Sequence, residues 1–138
     1  MIGGHAAIYH GVRRTTSDLD ILVRPTEENG ERIMRALKSL GLDITDIKSS
    51  DFVQQQVFSF GLEPDRVDIL NFSKGILIDD IFNHAKPIKI DNLIMKIIDI
   101  RDLLKNKENL QREGVKNLVD QQDILVLRDI LKSRGSDD

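Results

Sequence analysis

Two aspartates one residue apart constrain this chain more than any other feature. They lie in the run Thr16-Ser17-Asp18-Leu19-Asp20-Ile21-Leu22-Val23. The run reads as a strand, on which successive side chains point to opposite faces. Asp18 and Asp20 then share one face, and Leu19, Ile21 and Val23 the other. Two carboxylates side by side on a strand otherwise suited to burial repel each other and lose hydration. A hard divalent cation relieves that cost, and an all-oxygen donor set suits magnesium or manganese.

A third carboxylate has the same setting. Asp68 sits inside the apolar run Arg66-Val67-Asp68-Ile69-Leu70, which reads as a second strand. Alone it fits the exposed face of a half-buried strand. Beside Asp18 and Asp20, it is better read as the third member of a metal-binding cluster. The histidines point elsewhere. His5 and His10 fall on a short first helix and suit packing or a phosphate contact, and His84 stands alone near a helix end.

The 138 residues correspond to one domain, taken as 1–138, with a core of sheet and helices over 1–90 and C-terminal helices over 91–133. The net charge of −3 gives no global pull toward nucleic acid. The chain has no cysteine, which excludes disulfides, thiolate metal sites and cysteine nucleophiles and fits a cytoplasmic location. No apolar run is long enough to span a membrane, and residues 1–5 are too short and polar for a signal peptide.

In order, the pattern predicts a helix from His5 to Tyr9 closed by Gly11, then a polar loop carrying Arg13 and Arg14. Either arginine can pair with Asp18 or Asp20, or Arg14 can face a phosphate. Thr26 is the expected N-cap of a helix with Ile33, Leu37 and Leu40 as its stripe and Gly41 as its stop. Phe52 to Phe60 reads as extended and pairs with the Asp68 strand as a hairpin. A helix follows over 76–85, then an edge strand from Pro87 to Ile90. Asp91 or Asn92 is expected to cap a helix running to Leu104 along Leu93, Ile97 and Ile100, followed by a charged loop over 105–114. A last helix covers 115–132, with Leu118, Leu125, Leu127 and Leu131 inward, and Asp120, Asp123, Arg128 and Lys132 on a solvated face. Residues 133–138 read as a frayed tail. Lysines 86, 89, 96 and 105 can form a basic wall for RNA, although their spread favours solvated faces. The fold class is α/β (α+β): a small mixed sheet flanked by helices, with the carboxylates on one open face.

The combination Gly3-Gly4-His5-Ala6, His10-Gly11 and Arg14-x-Thr16-x-Asp18-x-Asp20, with Asp68 in a later strand, resembles the nucleotidyltransferase superfamily of DNA polymerase β-like fold. It is most similar to the small bacterial branch that includes toxin-type enzymes of toxin–antitoxin and phage-defence systems. The resemblance spans roughly residues 2 to 71, and Leu93 to Lys96 and Asp120-x-x-Asp123 are weakly similar to that branch's C-terminal helices. It implies transfer of a nucleoside monophosphate from a nucleoside triphosphate such as ATP to a hydroxyl of RNA, protein or a small molecule. Asp18, Asp20 and Asp68 would hold Mg2+ or Mn2+. Gly3 and Gly4 would approach the triphosphate, Arg14 would steady its charge, and Thr16 would order the loop. The alternative is an inactive module of the same fold that binds nucleotide or a partner protein. Two departures stand out: Gly4 takes a position often held by serine, and only Met1 and Ile2 precede the glycines, so the first strand is expected to be stubby.

Overall fold

The computed structural model describes residues 1–135. The elements are α1 (Gly3–His10), β1 (Asp18–Leu22), α2 (Glu27–Ser39), β2 (Val57–Phe60), β3 (Arg66–Leu70), α3 (Ile78–His84), β4 (Lys86–Ile90), β5 (Leu93–Ile97), α4 (Ile100–Glu108) and α5 (Gly114–Gly135). The fold is mixed α/β, with a three-stranded sheet ordered β1-β3-β2 and a separate β4-β5 hairpin. Strand β1 runs parallel to β3, and β2 antiparallel to it.

In place of the expected stubby first strand there is a single antiparallel bridge at Ile2. Ile2 bridges Asp20, the Met1 amine donates to the Lys96 carbonyl at 2.7 Å, and the Ile98 N–H donates to the Met1 carbonyl at 3.1 Å. Two residues thus tie the hairpin to the edge of the main sheet.

Each sheet face has its own core. Leu37, Phe52, Phe58 and Ile69 fill one side, with Phe52 stacked on Phe58 at a centroid distance of 4.3 Å. Helix α2 covers that side with Ile33, Met34 and Leu37, and Thr26 starts it, accepting from the Asn29 N–H at 3.1 Å. The helix stops at Gly41 (φ +78), where the Gly41 N–H meets the Lys38 carbonyl and the Leu42 N–H the Leu37 carbonyl. That pair of bonds requires the left-handed backbone glycine adopts freely. The other core joins Ile2, Ala6, Leu22, Ile81, Ile97, Ile98, Leu103 and Leu127, and so locks α1, α4 and α5 behind the sheet. Among the described residues, no helix is long and apolar enough to cross a membrane.

Several expectations are corrected. Residues 93–97 are strand β5, not the start of a helix, so the 91–133 segment is not wholly helical. Asp91 and Asn92 form the two-residue turn of the hairpin, Asp91 at φ +52. Short-range turn chemistry and the branched run Ile94, Ile97, Ile98 outweighed the helical spacing of the same residues. Asp99 caps the helix instead, accepting from the Arg101 N–H at 2.8 Å. That helix continues to Glu108, inside the expected loop. Only Val57–Phe60 of the Phe52–Phe60 run is strand. Phe52 belongs to a 3-10 turn over Ser49–Val53, because buried Asn71 takes up the local backbone: its amide donates to the Phe52 and Gln54 carbonyls and its oxygen accepts from the Gln56 N–H. Leu40, Leu118 and Leu125 are exposed, while Asp120 and Asp123 are buried. The tail is helical through Gly135, and the rest of the expected frayed segment, residues 136–138, lies outside the described residues.

His84, expected to stand alone, binds buried Asp102 through Nδ1 at 2.9 Å and joins α3 to α4. The hydrogen bond to Asp102 and that carboxylate's charge raise the His84 pKa above its ordinary 6.5. A histidine raised on folding stabilises fully below the unfolded value and loses that contribution as pH climbs through the folded one. The thermal melting gap between the wild type and His84→Ala is therefore expected to be widest below about pH 6 and to narrow above pH 7. A gap that widens with pH would contradict the assignment.

Candidate metal centre

The sheet register assembles the acidic face. Asp18 lies opposite Arg66, Asp20 opposite Asp68, and Ser59 opposite Asp68 on the other side. Alternation along the strands puts these five side chains on one face. The three carboxylates each present an oxygen within 4.8 Å of the others. Two residues further along the same face, Leu22 and Leu70 pass into the core, so the acids cluster at its open end.

The three acids differ in environment. Asp68 accepts from Ser59 Oγ at 2.7 Å and from Arg66 Nη2 at 3.2 Å. Burial works to raise its pKa, and the bonds from Ser59 and Arg66 outweigh it and hold the carboxyl below the usual range. Asp18 accepts from Arg66 Nη2 at 2.9 Å. Asp20 has no ion pair or side-chain hydrogen bond among the described residues. Burial, then the charges of Asp18 and Asp68, push it up to about 7 against the weaker pull of Lys107 and Arg112. Neither Arg13 nor Arg14 neutralises the acids, as the sequence had offered; that role belongs to Arg66.

The acids open into a cavity of about 470 Å³, which Gly3, Gly4, Arg14, Thr16, Asp18, Asp20 and Asp68 all help to line. The residues that the sequence assigned to the metal and the triphosphate thus line one cavity. Gly3 sits at φ +69, and a Cβ there would overlap the Asp20 carboxylate. Gly4 is roofed by Thr16, whose Oγ1 would lie 2.7 Å from a Cβ. Any side chain at position 4 would therefore push the Thr16 side chain aside. Gly3→Ala is expected to displace Asp20 and weaken Mn2+ binding at least tenfold, with an added strain of roughly 1 kcal/mol from the positive φ. Calorimetric titration of Mn2+ together with urea unfolding measures both, and unchanged Mn2+ affinity would refute the placement.

Across the cavity lies a wall of cations that sequence reading missed. Lys107, Arg112, Lys116 and Lys74 line it from α4, the loop after it, α5 and the loop after β3. Lys107 is only 3% exposed and reaches Asp123 at 3.0 Å and Asp120 at 3.6 Å. Arg112 clasps Asp120 through both Nε and Nη2. Arg14 binds Asp123 through Nε at 2.9 Å and Nη2 at 2.8 Å, so its fork is engaged by a carboxylate. The spacing Asp120-x-x-Asp123 against Lys107 was the available signal: two acids one helical turn apart, with a lysine on the preceding helix. His10 Nε2 donates to the Ile98 carbonyl at 2.7 Å, a hydrogen bond within the fold. Compared with known proteins, the chain matches no family model and no curated protein.

Proposed function

We propose that this protein is a divalent-metal-dependent nucleotidyltransferase that moves a nucleoside monophosphate from a nucleoside triphosphate to an acceptor hydroxyl. The observation that carries this reading is the convergence of Asp18, Asp20 and Asp68 within 4.8 Å, with Asp20 lacking a counter-ion. A carboxylate-only donor set fits Mg2+ or Mn2+. When bound, such an ion stabilises the charge that develops on the attacking and leaving oxygens. The chain's own residues do the rest. Gly3 and Gly4 let backbone come close to the phosphates, because no Cβ stands between them and the cavity. Arg112, Lys116 and Lys74 face phosphate oxygens from the opposite wall, and Lys107 adds its charge from beneath. The acceptor oxygen bonds to the α-phosphorus as the bond to the bridging oxygen breaks. Pyrophosphate leaves, and the hydroxyl proton passes to a carboxylate of the triad.

The test supplies each labelled nucleoside triphosphate with Mg2+ or Mn2+ and with tRNA, protein or small-molecule acceptors. Label on the acceptor with stoichiometric pyrophosphate, lost on chelation of the metal, is the expected result. No Mn2+ binding by calorimetry, with no transfer to any acceptor, would overturn the reading.

A further inference from the structure

We infer that Arg66 is a built-in counter-ion that weakens divalent-cation binding at the triad until a triphosphate draws its guanidinium away. This rests on the proposed nucleotidyltransferase reading and adds to it an order of binding. Arg66 stands on β3 opposite Asp18 and two residues before Asp68. Its Nη2 lies 2.9 Å from Asp18 Oδ2 and 3.2 Å from Asp68 Oδ2, and its Nε lies 3.2 Å from Asp68 Oδ1. Ser59 takes Oδ1 as well. Both oxygens of Asp68 and one of Asp18 are thus engaged. A cation shared by the triad needs such oxygens at about 2.0–2.6 Å, and a guanidinium on the same oxygens competes with it by volume and by charge.

The pose is held by charge more than by fit. Arg66 Nε is buried and makes no properly directed hydrogen bond, a state that costs free energy. The side chain remains 29% exposed and lines the cavity. Its long stem can swing the fork to phosphate oxygens, which accept it bidentately. Moving it there frees Asp18 and Asp68 for the metal and leaves the guanidinium satisfied. Metal and triphosphate then favour each other's binding, and the coupling is reciprocal.

The test titrates Mn2+ by the loss of its free electron paramagnetic resonance signal. It compares the wild type, Arg66→Gln, Arg66→Lys and the control Lys38→Gln, an exposed lysine on α2 outside the cavity, each with and without a nucleoside triphosphate analogue carrying an α,β-methylene bridge. Without the analogue, Arg66→Gln is expected to bind Mn2+ at least tenfold tighter than the wild type, and Lys38→Gln within twofold of it. The analogue should tighten Mn2+ binding at least fivefold in the wild type and less than twofold in Arg66→Gln. Should Arg66→Gln fail to fold by circular dichroism, Arg66→Lys carries the comparison. It keeps the charge and lacks the fork that bridges two carboxylates, so a threefold gain is expected. Equal Mn2+ affinity in the wild type and the folded Arg66 variant overturns the inference and leaves the metal site standing. Folded proteins that bind no Mn2+ at all, with or without the analogue, overturn the metal reading itself.

Discussion

Asp20→Asn is expected to abolish nucleotidyl transfer and at the same time to stabilise the metal-free protein. On the proposed chemistry the loss in kcat is on the order of a hundredfold or more, since an ion-binding oxygen and its charge disappear together. The gain in stability has a separate origin. Burial and two neighbouring carboxylates raise Asp20 from 3.8 to about 7. In the unfolded chain it ionises near the lower value. Between the two values the folded state binds the extra proton, so stability falls as pH rises. The penalty is absent below about pH 4, grows up to about pH 7 and is complete above it. A shift of this size corresponds to about 4 kcal/mol above pH 7 at 1.36 kcal/mol per pH unit, reduced to about 2–4 kcal/mol by the solvent that still reaches the side chain. Urea unfolding of the wild type and Asp20→Asn at pH 4, 6 and 8, in chelator, reads it directly. The two curves should coincide at pH 4 and separate by pH 8, and saturating Mn2+ should close the gap by stabilising only the wild type. Equal stability at pH 8 would show that Asp20 bears no uncompensated charge.

That trade of stability for a charged cluster explains why the acidic cluster was legible in the sequence. An aspartate inside an apolar strand is improbable unless something requires it, and three such residues signal a site before any geometry is known. The alternation of β1 and β3 fixed which side chains share a face, and the hairpin of β2 with β3 followed from the turn between them. What the sequence concealed was who neutralises whom. Arg66, Arg13 and Arg14 look alike as letters. Only the parallel register puts Arg66 opposite Asp18, while the packing of α5 gives Arg14 to Asp123. The segment after Ile90 misled for a different reason. Leu93, Ile97, Ile100 and Leu104 recur at helical spacing by coincidence, and the tight turn at Asp91-Asn92 decides the local structure first. Burial of Asp120 and Asp123 was hidden because charge on a helix ordinarily marks the solvated face. Here three cations converge on the two carboxylates from elsewhere in the chain.

The ion cluster behind the cavity supplies the second large effect. Asp123 is fully buried and receives Arg14 on one side and Lys107 on the other. Burial alone would raise its pKa, and the bonds from Arg14 and Lys107 outweigh that and hold it below the ordinary value. Asp123→Ala removes the acceptor and leaves a nearly inaccessible ammonium with only Asp120 at 3.6 Å. Removing one partner of a buried pair typically costs about 3–5 kcal/mol, whereas replacing both by apolar groups is often close to neutral. Asp123→Ala is therefore expected to lose about that much in urea unfolding, and Lys107→Met with Asp123→Leu distinctly less. The nonadditivity should exceed about 1 kcal/mol, as for groups in one network. Arg14 accounts for what the double variant fails to recover, because it loses its carboxylate but keeps access to solvent. If Asp123→Ala unfolds within 1 kcal/mol of the wild type, the cluster does not clamp α4 to α5. The cationic wall would then need another explanation for how Lys107 is held at the cavity.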